Sequence, residues 1–371
     1  MGQIQLTSAA TTYDRKQPIR DYRTKHGWFS LIYHSIKAHG IIFVMKVCIF
    51  GAGAIGSHFA ARLSAFGVDV SCIARGKQLD AIRENGITLH RVNQETLHAK
   101  VNASDDPASL GLQDLVIVTV KSYSLRDIVD QMKELLGPET PIIYAQNGIP
   151  WWYFYGLDKP SKERRIKSLD PGGRLWDELG VHRAIGGVVY SANTLESPGV
   201  VRNTSPGRNW LQIGEPTGLK SVRLKKIHDV FNEVDMGPPI NDIRYTVWDK
   251  LMSNMATGTI SCLTHSTINE LQQNEETHAL AIGIMNEAMA IANSLGTSID
   301  IDPVERFKLT KGGSHKVSML QDLERFHRME IDSMVGVPLE LAQKANIKVP
   351  ILSVVVTLLK HRAYLLGLYN T

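Results

Sequence analysis

The chain has 371 residues, of which 43% are hydrophobic and 21% are charged, and its formal net charge is +4. This length predicts about two domains, each with a core of its own. The net charge is too small for a chain of this length to indicate binding to nucleic acid. No apolar run approaches the roughly 18 residues of a membrane span, so no membrane protein is expected. The three cysteines lie far apart, which argues against a disulfide framework and against a zinc or other metal site.

Residues 1–44 lack a clear periodicity and contain six lysines and arginines but only two aspartates. We expect a disordered extension, with the folded part of the chain beginning at Met45. A basic targeting arm is the alternative interpretation. No small-residue cleavage site follows the apolar residues 41–44, so a secretory signal is not indicated, and Leu6 stands where N-myristoylation requires Ser or Thr. A cytoplasmic protein is therefore expected.

A glycine-rich turn follows the first apolar run of the folded part, where residues 45–57 read MKVCIFGAGAIGS. In a strand–turn–helix that binds a pyrophosphate, the first glycine permits a tight turn and the second lets the backbone approach the phosphates. The third glycine lets the helix pack closely on the strand. Because the phosphates would lie at the helix N-terminus, we predict that the loop binds the cofactor through Gly51, Ala52, Gly53, Ala54, Ile55 and Gly56.

The end of the next predicted strand indicates which dinucleotide is bound. An NAD site usually has an acidic residue there, about 20 residues after the glycines, to bind the ribose 2′-hydroxyl. This chain has Arg75 instead, with Lys77 close behind and no acidic residue before Asp80. A guanidinium matches a 2′-phosphate in charge and in geometry. The sequence therefore favours NADPH/NADP over NAD, and the alternative is that Arg75 is an ordinary surface residue.

Two further apolar runs, 114–120 and 141–146, are typical of parallel strands buried on both faces. Lys121 directly follows the first run, and Asn147 followed by a glycine comes after the second. Because the carboxyl ends of parallel strands form the ligand crevice, Lys121 and Asn147 are predicted to face the cofactor or an anionic substrate. For Asn147 the alternative is an ordinary Asn-Gly turn.

The remainder of this half is predicted to contain a polar surface insertion at 158–180 and short strands at 185–194, 199–203 and 210–214. A double proline at 238–239 marks the predicted domain boundary, and from about Thr246 the pattern becomes helical. The expected fold is α/β, with an N-terminal Rossmann-type doubly wound sheet followed by an all-helical C-terminal domain. The predicted domains are an NADP-binding domain at 45–240 and a helical substrate and catalytic domain at 241–371.

Two polar clusters stand out in the helical half. Lys250 and Asn254 are four residues apart, so on one helix they share a face, where they could bind the carbonyl and carboxylate of a substrate. Ser318 and Glu330 belong to a second cluster but are twelve residues apart, which need not be one helical face. Taken singly, residues of these types are more often solvated helix residues than functional ones.

The ordered series of these motifs resembles the ketopantoate reductase family (2-dehydropantoate 2-reductase) from Met45 to the C-terminus. The series comprises the glycine loop, Arg75, Lys121, Asn147-Gly, Trp248-x-Lys250-x3-Asn254 and Ser318-Met-Leu-Gln-Asp with Glu330. The resemblance implies the NADPH-dependent reduction of 2-dehydropantoate to (R)-pantoate, a step toward pantothenate and coenzyme A. The oligomeric state is left open, with a homodimer as one candidate.

The resemblance also implies roles for individual residues. Lys250 matches the family's general acid, and Asn254 and Ser318 match residues that bind the substrate. Glu330 matches a glutamate near the cofactor and the substrate hydroxyl. Lys121 and Asn147 match residues that line the cofactor cleft, and Asn147 is also expected to reach the substrate. Ala192 matches a position that touches the cofactor through its backbone.

One position departs from the family pattern. The family commonly has a second asparagine four residues after the first, and this chain has Gly258 there. We expect the glycine to leave room where the amide side chain would be. A paralogous NADPH-dependent reductase of another 2-oxo acid is therefore one alternative. A non-catalytic NADP-binding sensor is the other, although such a protein would not need to retain the four polar residues of the helical half.

Overall fold

The computed structural model describes residues 45–157, 165–310 and 316–370, so the extension expected at 1–44 lies outside the described residues. Residues Met45–Thr371 form one unit by their contacts. Within the described ranges, no helix combines the length and the apolar character that crossing a membrane would require. The described strands are β1 (Lys46–Phe50), β2 (Asp69–Ile73), β3 (Ile87–Arg91), β4 (Gln94–Ala99), β5 (Asn102–Ser104), β6 (Leu115–Val118), β7 (Ile142–Ala145), β8 (Ala184–Tyr190), β9 (Asn193–Ser197), β10 (Val200–Asn203) and β11 (Trp210–Gly214).

The main sheet has seven strands in the order β11-β8-β7-β6-β1-β2-β5. All neighbouring pairs are parallel except β8 and β11, which are antiparallel. The chain order reverses between β1 and β6, which is the point where a doubly wound sheet binds its ligand. The expected Rossmann-type sheet is therefore present, with Gly51 directly after β1 and Lys121 three residues beyond the end of β6.

A second sheet of four strands, in the order β4-β3-β10-β9, packs on the helix that follows the glycine loop. The strand predicted at 185–194 is in fact two strands that belong to different sheets, β8 and β9. The break falls at Ser191 and Ala192. Ser191 Oγ is bonded there by Asn193 Nδ2 at 2.8 Å and by Asn203 Nδ2 at 3.1 Å, so local side-chain hydrogen bonds replace the ladder.

The described helices alternate with the strands in the first half and follow one another in the second. They are α1 (Ala54–Ala65), α2 (Gly76–Asn85), α3 (Val129–Lys133), α4 (Arg174–Asp177), α5 (Val222–Glu233), α6 (Ile243–Thr264), α7 (Ile268–Gln273), α8 (Glu275–Ser294), α9 (Pro303–Lys308), α10 (Ser318–Glu324), α11 (Val337–Lys344) and α12 (Pro350–Leu365). Helical 3₁₀ turns occupy Pro107–Leu110, Ser122–Ile128 and Val181–Arg183, and a π-helical turn occupies Asp332–Gly336. From Ile243 onward the described residues contain helices and no strand, as the fold prediction expected.

The segment predicted as a surface insertion at 158–180 is anchored to the core over its described part, which begins at Arg165. Ile166, Leu175 and Leu179 are buried. The Asp170 carboxylate accepts hydrogen bonds from the Leu175 and Trp176 amides, both at 3.0 Å, in the first turn of the short helix α4. The polar composition concealed these three apolar anchors, so the description as a loop over the surface is wrong for 165–180.

Helix α6 is the long element on which the helical half is built. Asp242 caps it by accepting the Arg244 amide at 2.8 Å. The buried Arg244 guanidinium donates to the carbonyl oxygens of Tyr153 at 2.8 Å, Tyr155 at 2.6 Å and Pro216 at 2.5 Å. These bonds tie the first turn of α6 to the loops that follow β7 and β11, and so fix how later turns of α6 meet the sheet edge.

Candidate active site

A cleft of about 770 Å³ runs along the carboxyl edge of the main sheet, between the strand ends and the helical half. Thirteen of the fourteen residues predicted for the site line it. They are Gly51, Ala52, Gly53, Ala54, Ile55, Arg75, Lys121, Asn147, Ala192, Lys250, Asn254, Ser318 and Glu330. The exception is Gly56, which is buried behind the loop. Residues that are 279 positions apart in sequence, Gly51 and Glu330, thus share one cavity.

The three glycines of the loop differ in what surrounds them. Gly51 has a φ of +107°, and a Cβ there would lie 2.6 Å from Val120 Cγ1. Gly53 has no atom within 4 Å of an added Cβ, so its face is open toward the cleft. At Gly56 a Cβ would overlap the Gly51 carbonyl oxygen and approach Ile49 Cγ2 to 2.9 Å. The loop therefore combines a tight turn, an open backbone and a close helix–strand contact.

Helix α1 begins directly after Gly53, and no side chain caps its first turn. Uncapped N–H groups and the helix dipole together favour an anion at this point. Gln78 supports the loop from behind, since its Nε2 donates to the Ala52 carbonyl at 2.7 Å and to Ser57 Oγ at 3.3 Å. Its Oε1 accepts the Gly199 amide at 3.0 Å. Nothing in the local sequence pattern pointed to Gln78.

Arg75 lies between β2 and α2 on the rim of the cleft, and its side chain is exposed. Its guanidinium donates to Gln131 Oε1 at 3.0 Å, which holds it near the cleft without neutralising its charge. An exposed cation at the end of the second strand is available to an anionic group on a ligand.

Lys250 projects from the third turn of α6 into the cleft. Its Nζ donates to Asn147 Oδ1 at 2.8 Å and to the Val189 carbonyl at 2.5 Å. An ammonium has three N–H donors, so one remains for a ligand. Burial lowers the pKa of Lys250 to about 8, and the nearby Glu330 carboxylate opposes this shift. The side chain is therefore mainly charged at neutral pH, yet needs little energy to release its proton.

A second cation, Lys121, is neutralised within the cleft wall. Its Nζ lies 2.8 Å from Asp322 Oδ2 and 3.2 Å from Glu330 Oε2. Burial disfavours the charge of Lys121, but the carboxylates of Glu330 and Asp322 outweigh it and raise the pKa above its ordinary value. Glu330 Oε1 also accepts the Ser122 amide at 2.8 Å. This cluster bonds the end of β6 to the helical half.

Asn254 and Ser318, also predicted to bind the substrate, have side chains that form no hydrogen bond with the described part of the chain. The half-buried Asn254 lies one turn after Lys250 on α6, and its side-chain amide makes no hydrogen bond there. Ser318 begins α10, is exposed, and its hydroxyl is likewise unbonded within the described residues. Both groups line the cleft, so both are available to a ligand.

Two expectations need adjustment in the light of the geometry. Gly258 does line the cleft, but an added Cβ would lie 3.1 Å from Met319 Sδ, so the room expected there is partly filled by Met319. Ala192 also lines the cleft, but it lies outside strand β8. Its N–H donates to Ser205 Oγ at 2.8 Å and its carbonyl accepts the Thr204 amide at 2.9 Å, so the backbone expected to touch a cofactor already has partners within the described residues.

Comparison with known proteins identifies the family. The family description "Ketopantoate reductase PanE/ApbA" matches residues 47–216, and "Ketopantoate reductase PanE/ApbA C terminal" matches residues 242–363. This chain belongs to the ketopantoate reductase family. The resemblance seen in the sequence motifs is thereby confirmed, as is the combination of a Rossmann-type sheet with a helical C-terminal region.

Individual relatives agree with the family assignment. The chain is 40% identical over 329 residues to a 2-dehydropantoate 2-reductase of Mesorhizobium japonicum, covering 88% of this chain and 100% of that one. It is 29% identical over 310 residues to a 2-dehydropantoate 2-reductase of Pyrococcus horikoshii, covering 83% and 94%. Among solved structures it is similar to a candidate ketopantoate reductase from Ralstonia solanacearum MolK2, with a TM-score of 0.81, 32% identity, and coverage of 88% and 100%.

Asp322 and Gln78 are among the residues of this ketopantoate reductase cleft that were missing from the predicted site. Asp322 is the last residue of the Ser-Met-Leu-Gln-Asp motif, so its place in the motif was a usable signal. Its contact with Lys121 spans 201 positions in sequence. Burial raises the pKa of Asp322, while Lys121 opposes the shift.

Proposed function

We propose that this protein reduces 2-dehydropantoate to (R)-pantoate with NADPH, a step toward pantothenate and coenzyme A. The observation that carries the proposal is the position of Lys250. Its ammonium group is held by Asn147 and by the end of β8, at the same sheet edge as the open glycine loop. A proton donor and a dinucleotide-type phosphate site thus share one cleft, which is what the reduction of a carbonyl requires.

The residues of the cleft fit NADPH. Gly53 and the uncapped start of α1 would hold the pyrophosphate, and Arg75 would bind the 2′-phosphate. When bound, this cofactor supplies the hydride that adds to C2 of a 2-oxo acid. The preference for NADPH over NADH rests on Arg75 and on the family's implied chemistry.

Lys250 would act on the substrate oxygen. As hydride adds to the C2 carbon, the C2–O π bond breaks and negative charge develops on the oxygen. The third N–H of Lys250 stabilises this charge and transfers its proton to the oxygen, which leaves a neutral amine and the 2-hydroxy acid. The amine then regains a proton from solvent. A pKa of about 8 keeps the acid charged at neutral pH while easing the transfer.

Asn254 and Ser318 would bind the substrate through its carboxylate and hydroxyl oxygens, since both have hydrogen-bonding groups free within the described residues. Glu330 would help to keep Lys250 protonated, because its carboxylate raises the pKa of Lys250 and so opposes the effect of burial. The four polar residues of the helical half that were predicted for the site all line the cleft, which supports an enzyme over a non-catalytic NADP-binding sensor.

The direct test is turnover by the purified protein. With NADPH and 2-dehydropantoate we expect loss of the reduced-nicotinamide absorbance and formation of (R)-pantoate, identified by chiral chromatography. Turnover of a panel of branched and unbranched 2-oxo acids tests the alternative raised by Gly258, which is that the substrate is a different 2-oxo acid. Binding of NADPH without turnover of 2-dehydropantoate would refute the specific substrate.

The domain division at 45–240 and 241–371 is part of the same proposal. It is supported by the position of the last strand, which ends at Gly214, and of the first helix of the second half, which begins at Ile243. The homodimer and the cytoplasmic location stay predictions.

A further inference from the structure

Arg325 lines the cleft from the helical side, at the C-terminal end of α10. Its side chain is exposed and makes no hydrogen bond or ion pair with the described residues. Other cations of the cleft are engaged: Lys121 is paired with two carboxylates, and Lys250 donates to Asn147. An unpaired guanidinium on the wall of a ligand cleft is available to an anion.

The position of α10 indicates which part of a ligand Arg325 would meet. Ser318, Asp322 and Arg325 follow one another at i, i+4 and i+7, so they share one helical face, and all three line the cleft. The row spans about 10 Å along the helix axis. Its middle residue, Asp322, is held 2.8 Å from Lys121, three residues beyond the end of β6.

The two ends of this row lie on either side of Asp322 along α10. Beside Ser318, Met319 packs at Gly258 on α6, the helix that carries Lys250. The Arg325 end lies about one turn beyond Asp322, which is held to Lys121. Ser124 and Ile128, which follow Lys121 in the chain, also line the cleft, and Gln131 accepts a hydrogen bond from Arg75.

We propose that Arg325 binds a phosphoryl group of the dinucleotide from the helical side of the cleft, which it shares with the glycine loop and Arg75. The inference rests on the proposed NADPH-dependent function. A guanidinium offers a fork of donors that suits a phosphate, whether the phosphate belongs to the pyrophosphate or to the ribose 2′ position. The helical half would then contact both the substrate and the cofactor along one face of α10.

The test is equilibrium binding of NADPH and of NADH to the full-length protein without substrate, measured by the fluorescence of the reduced nicotinamide. The variants are Arg325→Ala and Arg325→Lys. Arg328→Ala is the matched control, because it removes the same charge three residues later, where the guanidinium lies 4.5 Å from the centre of the Tyr123 ring and outside the cleft lining. Thermal unfolding without ligand checks that each variant is folded.

For Arg325→Ala we expect Kd for NADPH to rise about tenfold, as for a lost charge-assisted hydrogen bond, and for Arg325→Lys a smaller rise. An equal rise for NADH would assign the contact to the pyrophosphate, and an effect on NADPH alone would assign it to the 2′-phosphate. Unchanged Kd values, or the same rise in Arg328→Ala, would overturn the inference while leaving the proposed function intact. A wild-type protein that binds neither cofactor would overturn both.

Discussion

Lys250 Nζ lies 2.8 Å from Asn147 Oδ1, although the two residues are 103 positions apart and belong to different halves of the chain. Asn147 follows β7 at the sheet edge, and Lys250 lies on α6. The contact aims the ammonium group into the cleft before any ligand arrives, since a second bond to the Val189 carbonyl fixes the same nitrogen. Such preorganisation lowers the cost of orienting a proton donor in the transition state.

Removing the ammonium should abolish most of the chemistry. We expect Lys250→Ala to lower kcat by roughly 10²–10⁴-fold, the usual contribution of a positioned general acid, with Kd for NADPH little changed. Steady-state kinetics and cofactor fluorescence measure the two quantities. Lys308→Ala serves as the control, because Lys308 is exposed and pairs with Glu305. A kcat for Lys250→Ala within a few-fold of the wild type would remove Lys250 from the mechanism.

The pH dependence of the reaction should report the Lys250 proton. The acid must be protonated, and burial lowers its pKa to about 8, so kcat/KM should be full below that value and fall as the pH rises through it. Glu330→Gln removes a carboxylate that raises this pKa, so the falling limb should move to lower pH. A limb that stays in place, or moves to higher pH, would contradict the coupling of Glu330 to Lys250.

Arg75 should decide between the two reduced nicotinamides. We expect Arg75→Ala to raise Kd for NADPH about tenfold, through loss of a charge-assisted contact, and to leave Kd for NADH nearly unchanged. Arg83→Ala is the comparison variant, because Arg83 is exposed, faces Asp105 and lies outside the cleft lining. Equal weakening of both cofactors by Arg75→Ala would be incompatible with a 2′-phosphate contact.

Gly258 offers a test of packing near the substrate. Glycine within a helix costs about 1 kcal/mol relative to alanine, and the Cβ of alanine would meet the end of the flexible Met319 side chain at 3.1 Å. We expect Gly258→Ala to raise the free energy of unfolding by up to about 1 kcal/mol, measured by chemical denaturation.

Gly283→Ala is the paired variant, since its Cβ would lie only 2.5 Å from Ile351 Cδ1 on α12. We expect it to stabilise less than Gly258→Ala, or to destabilise. If Gly258→Ala instead proves the less stable of the two, Met319 is unable to move aside.

The parts of the site that could be predicted from sequence are those that depend on residues close together in the chain. The spacing of Gly51, Gly53 and Gly56 is sufficient for the turn, and a separation of four residues places Lys250 and Asn254 on one helical face. That the glycine loop and Lys250 lie in one cleft could be predicted only from the family resemblance of the whole motif series. No local pattern indicates which strand end a helix will contact.

The residues that escaped prediction act across long separations. Asp322 meets Lys121 over 201 positions, and Gln78 bonds the backbone of Gly199 over 121. In each case the side chain type is ordinary, and only the tertiary structure gives it a partner. The break between β8 and β9 was missed for a related reason, since it depends on Asn203 reaching back to Ser191.

The turn that carries Asn147 has little freedom of its own. Gly148 has a φ of +87°, a Cβ there would lie 2.8 Å from Ser333 Cβ, and the Ile149 amide donates to the Ser333 carbonyl at 2.8 Å. The partner of Lys250 is therefore held by backbone from the π-helical turn near the end of the chain. In a chimera that takes its N-terminal half from one family member and its helical half from another, the fit of Ser333 against Gly148 would decide whether the lysine is correctly aligned.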